Sequence, residues 1–194
     1  MKLNASALLE QRRAIRRLSF SRAWRVAAAG IACLIFAVGA LLPGVFTIAY
    51  SVAPVSKKMR QYRVRQCVRL LCRFYIRVLR LLGLFRLTVE GSPPQQMSGH
   101  VVVVNHSMLI DALFLLAYVD NVCCVVKGSL ADHWLTRMTV KSAGYIANDD
   151  PQLLDKALAK LRNGENILIF PEGTRTAAGE QLEFKRGAAN LAVL

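Results

Sequence analysis

Acidic residues are almost missing from the first ninety positions, where Glu10 and Glu90 stand against 17 Lys and Arg. Residues 91–194 hold 9 Lys and Arg against 10 Asp and Glu, so the net +14 of the chain belongs to its N-terminal part alone. Between residues 26 and 56 charge of either sign is absent altogether. A basic chain that reads nucleic acid gathers its cations on a surface with base-reading or stacking groups. Here the cations flank an uncharged apolar run, a layout that suits anionic lipid headgroups, at about 1 kcal/mol per cation near the surface. It argues against nucleic acid as a partner. Cysteines number five, an odd count without a Cys-x-x-Cys pair, which excludes a disulfide ladder and offers no zinc or redox motif. Cys33, Cys123 and Cys124 lie in apolar runs and read as small buried hydrophobes of a chain in a reducing, cytosolic-side setting. Internal repeats and low-complexity segments are also absent.

What is there begins with a basic interfacial segment, residues 1–25, where Arg12, Arg13, Arg16, Arg17, Arg22 and Arg25 sit beside Ile15, Leu18, Phe20 and Trp24. Arg and Trp together suit the headgroup region of a bilayer. The uncharged run that follows is longer than the roughly 20 residues that cross a membrane. A long basic stretch before it, and Pro54 directly after its only small-residue site, argue against a cleaved leader, so a retained membrane segment is expected. Pro43-Gly44 lies near its middle and both flanks are basic. Proline removes a backbone donor, and basic flanks prefer the cytoplasmic side. A re-entrant hairpin turning near Pro43 is therefore expected over a single kinked span.

Residues 57–85 predict a long amphipathic helix. Arg65, Arg69, Arg73, Arg77 and Arg80 fall within about 120° of one another at 100° per residue. Such a helix is expected in the headgroup plane with its arginines among phosphates; packing on the domain with a solvated basic face is the other reading. Residues 26–86 thus comprise a membrane hairpin or span plus this helix.

Residues 87–194 change character. A first strand is predicted over residues 86–90, followed by a loop with Pro93-Pro94. Short apolar runs at residues 100–104, 121–126, 144–146 and 166–170 then alternate with helical spacing. That alternation marks an α/β fold, here expected as a mixed sheet covered by helices. Asp150 is expected to cap the helix before the fourth run, with Pro151 at its first position and Gly164 as its stop.

Two stretches carry chemistry. Residues 101–111 read Val-Val-Val-Val-Asn-His-Ser-Met-Leu-Ile-Asp: a buried strand, a polar turn and the start of a helix. On one regular helix His106 and Asp111 would point about 140° apart, so they meet only with His106 on the turn and Asp111 on the helix behind it. There the carboxylate would hold one imidazole nitrogen and leave the other to accept a proton. The ordinary readings also stand: an acid in a first turn complements the helix dipole, and a histidine at a strand end caps backbone. The second stretch is Pro171-Glu172-Gly173-Thr174-Arg175-Thr176, at another strand end. Arg175 suits bidentate grip on a phosphate, and glycine lets backbone donors approach it.

The pairing of Asn-His-x-x-x-x-Asp with a downstream Pro-Glu-Gly-Thr-Arg resembles the lysophospholipid and glycerol-phosphate acyltransferase family, over residues 87–194. The resemblance implies a membrane-bound O-acyltransferase. It would move a fatty acyl group from acyl-CoA or acyl carrier protein to the hydroxyl of a lysophospholipid such as 1-acylglycerol-3-phosphate, without cofactor or metal. It makes His106 the general base and Asp111 its orienting partner, with Glu172, Gly173, Thr174 and Arg175 holding the acceptor's head. The setting implied is the cytoplasmic side of an inner membrane. Two departures bear on this. Asp149 and Asp150 stand where family members often carry an arginine, leaving a non-phosphatidic acceptor open. Lys127 is a candidate for the missing cation, and a solvated strand-end lysine is its other reading. Residues 184–188 resemble a block that precedes a further helix and strand, so the domain is expected to be C-terminally incomplete. A metal-dependent hydrolase using His100, His106, Asp111 and His133 matches no usual ligand spacing. A non-catalytic membrane-surface protein is the remaining alternative.

Overall fold

The computed structural model describes residues 5–51, 54–85, 97–104 and 109–171, with side chains from residue 21 to 47 in the first segment and from residue 110 onward in the last. The expected strand at residues 86–90 lies outside them. The first helix, α1, runs unbroken from Ala5 to Ser51 with Pro43 inside it. The turn expected at Pro43 is therefore absent. Proline in a helix interior costs about 3 kcal/mol by removing a donor and crowding the preceding turn, but neighbouring groups can restore the lost bonds. The carbonyl that Pro43 frees is that of Gly39; the Thr47 hydroxyl donates one turn further on, to the Pro43 carbonyl itself, at 2.8 Å. The Thr139 hydroxyl donates to the Ala40 carbonyl at 3.1 Å. Gly44 supports the same packing: a Cβ there would lie 3.1 Å from Met138 Cβ.

The second helix, α2 (Lys57–Leu81), starts at Ser56, whose hydroxyl accepts from the Met59 amide. It returns antiparallel along α1: the Trp24 indole donates to the Leu82 carbonyl at 3.3 Å, and Phe36 and Tyr75 meet at 5.6 Å between ring centroids. Its apolar residues Val68, Cys72 and Ile76 pack on Ala117 of α3 (Leu109–Tyr118). The arginines do not behave as expected. Arg65 is buried and donates to Glu165 at 2.8 Å and to the Ala143 carbonyl at 3.3 Å. Arg69 pairs with Asp120 at 2.7 Å, and Arg73 donates to the Ala117 carbonyl at 2.8 Å. Three of the five thus turn into the domain, leaving Arg77 and Arg80 exposed. The physical reason is that Ala117 lies in the last turn of α3 and Ala143 ends α5 (Arg137–Ala143), where orphan carbonyls and the negative end of the dipole favour cations.

Strands β1 (Val101–Val103), β2 (Val122–Val126), β3 (Ile146–Ala147) and β4 (Asn166–Ile169) form a sheet in the order β1-β4-β2-β3. Every pairing among the described strands is parallel. Parallel strands need crossovers and cover on both faces, which explains their apolar runs. Helix α3 joins β1 to β2; α4 (Gly128–Asp132) and α5 join β2 to β3; α6 (Leu153–Arg162) joins β3 to β4. On one face Cys123, Val125, Ile146, Ile167 and Ile169 pack on Ala157, Leu154 and Leu158 of α6. On the other, Val122, Cys124 and Leu168 pack on Leu115 and Leu116 of α3. The α/β expectation holds.

Two local expectations shift. Helix α6 begins at Leu153, not at Pro151, and Asp150 caps the turn before it by accepting from the Gln152 amide at 2.9 Å. Gly144 closes α5 at φ +69°, a left-handed conformation that glycine adopts without strain.

Candidate functional site

All four strands point the same way, so their C-terminal ends share one edge of the sheet, the edge where open α/β folds place ligands. Strands β1 and β4 are neighbours, with Val103 opposite Ile169 and the Val104 amide donating to the Ile169 carbonyl at 3.3 Å. Neighbouring strands lie about 4.8 Å apart. Val104 leads directly into the Asn-His stretch, and Phe170-Pro171 into Glu172. The two chemical stretches therefore leave the sheet side by side, although they are far apart in sequence. His106, Glu172, Gly173, Thr174 and Arg175 themselves lie outside the described residues.

Asp111 sits half-buried in the first turn of α3. Lys127 follows β2 directly and occupies the cap position of α4, with its side chain exposed. It shares the edge with the two stretches, one strand beyond β4. The Asn148 side chain accepts from the Gly128 amide at 3.1 Å and ties this corner to the end of β3. Of the two acids in question, Asp149 is exposed, whereas Asp150 pairs with Lys156 at 2.6 Å. Asp150, half-buried, has its pKa lowered by the hydrogen bond from Lys156 and by that from the Gln152 amide.

His100 precedes β1 and Asp111 follows it, so a whole strand of roughly 10 Å separates them. His133 is exposed between α4 and α5, stacked on Trp134, with its Nδ1 accepting from the Leu135 amide. Among the described residues the histidines and acids of the hydrolase reading do not converge.

Burial pushes the buried thiols up: Cys72 to about 12 and Cys123 to about 11, with Cys124 also raised, by burial and then by the Cys123 and Cys72 thiols. A nucleophilic cysteine needs the opposite shift.

Sequence reading missed three features. The first is an apolar cavity of about 450 Å³ between α1, α2 and the domain, lined by Phe36, Leu71, Tyr75, Leu113, Val126 and Val140 among others. Val126 and Leu113 bring its wall next to Lys127 and Asp111. The second is the buried cluster in which Arg65 and Lys160 both donate to Glu165, at 2.8 and 2.9 Å. The third is Asn166, fully buried, which donates to the Met97 and Asp120 carbonyls and accepts from the His100 amide. It aligns the entries of β1 and β4. Its only sequence signal was a polar residue at the head of an apolar run.

A family model described as acyltransferase matches residues 86–194. A 1-acyl-sn-glycerol-3-phosphate acyltransferase of Pseudomonas aeruginosa is 30% identical over 156 residues, covering 76% of this chain and 59% of the relative. A lyso-ornithine lipid O-acyltransferase of Rhodobacter capsulatus is 33% identical over 121 residues, covering 59% of this chain and 41% of the relative. The chain thus spans less than two thirds of the length of these curated relatives. The crystal structure of a 1-acyl-sn-glycerophosphate acyltransferase from Thermotoga maritima shares the fold, with TM-score 0.66, 22% identity, and coverage of 88% of this chain and 70% of that one. With its family signature spanning residues 86–194, more than half its length, the chain belongs to the acyltransferase family.

Proposed function

We propose that this protein transfers a fatty acyl group from an acyl thioester, acyl-CoA or acyl carrier protein, to the hydroxyl of a lysophospholipid such as 1-acylglycerol-3-phosphate. The observation that carries the reading is the parallel pairing of β1 with β4, which starts the two motifs from one sheet edge. His106 takes the acceptor's hydroxyl proton as its oxygen attacks the thioester carbonyl, and Asp111 orients the imidazole and balances its charge. The tetrahedral oxyanion collapses, the C–S bond breaks, and the leaving thiolate recovers the proton from the imidazolium. Glu172, Gly173, Thr174 and Arg175 hold the acceptor's head, and Lys127 adds a cation at the same edge. The raised pKa values of Cys72 and Cys123 favour this direct transfer over a thiol-linked acyl-enzyme.

The 450 Å³ cavity, apolar and walled partly by α1, suits the acyl chain. Helix α1 holds a stretch, Ser21–Thr47, long and apolar enough to cross a bilayer. It packs along its length on α2 and α5, which favours an in-plane position in one leaflet over a perpendicular crossing. Its exposed Ile31, Leu34, Val38, Leu41, Leu42 and Val45 fall within about 100° of arc and face the acyl chains. The basic flanks favour the cytoplasmic side of the inner membrane.

The test is product formation from labelled acyl thioester and lysolipid by the full-length protein in vesicles. His106→Ala is expected to lower turnover by about 10²- to 10⁴-fold; unchanged turnover sinks the mechanism. A second reading, an acceptor with a different head, is favoured by the carboxylates of Asp149 and Asp150 at the end of β3. A mixed panel of lysolipid acceptors separates the two.

A further inference from the structure

The α/β domain presents an apolar surface of its own, apart from α1. The turn between α4 and α5 carries Trp134, 75% exposed, flanked by Leu130 and Met138, each 43% exposed. An indole combines a large apolar body with one donor, so it is poorly placed in bulk water and well placed at a membrane interface. The patch is not isolated. Met138 lies against Gly44, and Thr139 donates to the Ala40 carbonyl, so it continues into the exposed apolar stripe of α1. Its surroundings are basic on balance: Lys127, Arg137 and Lys141 are exposed there against Asp132 and Asp149, the latter lying against Gly128.

We infer that the α4–α5 turn is a second lipid contact, with Trp134 seated at the headgroup level of an anionic bilayer and Arg137 and Lys141 beside the phosphates. This rests on the membrane reading of α1 and extends it to the domain. A single in-plane helix leaves the attached domain free to roll about the helix axis. A contact off that axis removes the roll and gives the sheet edge a set orientation to the membrane.

The chain has two tryptophans, so Trp24→Phe leaves Trp134 as the sole reporter. In vesicles of phosphatidylcholine with phosphatidylglycerol, its emission is expected to shift to the blue. Lipids brominated near the headgroup end of their chains should quench it roughly twofold, and acrylamide quenching should fall. If Trp24→Phe does not fold, the difference between wild type and Trp134→Phe gives the same reading. A protein that floats with vesicles while Trp134 keeps water-like emission overturns this inference and leaves the α1 reading intact. A protein that does not float overturns both. A blue shift that persists without lipid assigns the patch to a protein contact and also overturns it.

Discussion

Helices α1 and α2 lie antiparallel on one another and meet the domain by opposite means. α1, uncharged from residue 26 onward, meets it by close approach: Gly44 against Met138 and Ala40 against Thr139. α2, with its row of arginines, meets it through charge. Arg65 reaches the last carbonyl of α5 and the Glu165 carboxylate, while Arg73 reaches the carbonyl of Ala117 near the end of α3. A basic helix stripe is usually read by what it would meet in solvent or at a membrane. Here three of its five arginines are satisfied by what the chain itself places opposite, two helix C-termini and two carboxylates. Charge on a helix face therefore says that a partner is needed, and the tertiary arrangement says which.

The comparison breaks most sharply at Arg65. Arg65→Met leaves Glu165 buried with Lys160 as its remaining cation and the Ala143 carbonyl short of a donor. A loss of about 3 kcal/mol is expected, read as a lower midpoint in chemical or thermal unfolding. On the α1 side, Gly44→Leu forces a side chain into the Met138 contact and should cost about 1–3 kcal/mol as overpacking. It should also alter the acyl-length preference of the product, because α1 walls the cavity.

Of the two helices, it is α2 that carries a pH response, through the contact of Arg65 with Glu165. Burial raises the Glu165 pKa, but Lys160 and Arg65 more than offset it, so the folded value lies below the 4.5 of a free glutamate. A depressed carboxylate contributes stability that is fully present above the unfolded pKa and is lost as pH falls through the folded value. Denaturation midpoints between pH 7 and pH 3 should therefore fall less steeply in Glu165→Gln than in wild type. The smallest effect is expected at Arg69. Its partner Asp120 has a side chain 41% exposed and also accepts from Gln66, so Arg69→Ala should cost only about 0.5–1 kcal/mol. A loss equal to that of Arg65→Met would erase the distinction between buried and rim arginines.

The legibility of the fold follows from range. Short apolar runs between helices announced a covered sheet because parallel strands must be apolar on both faces, and β1, β2 and β4 appeared where those runs stand. The helical nature of α2 was plain from its period. Of the candidate site, residue types and spacing singled out His106 and Asp111 while leaving the helix-dipole and backbone-cap readings open. That the strand leading into Glu172 lies beside the strand leading into His106 was not readable, since it depends on β4 inserting between β1 and β2. The uninterrupted path of α1 was unreadable for a related reason. Local chemistry at Pro43 argues for a break, and only the groups supplied by Thr139, Met138 and α2 support the continuous helix.

By itself the sequence determined the segregation of charge, the uncharged helix, the α/β alternation and the two motifs, because each rests on interactions within a few residues. The tertiary structure decided where the arginines of α2 point, whether the chain turns at Pro43, that a cavity opens between α1, α2 and the domain, and that the strands leading into the two motifs are neighbours. Each of these depends on which distant groups come opposite one another, and a linear pattern of residue types does not encode that.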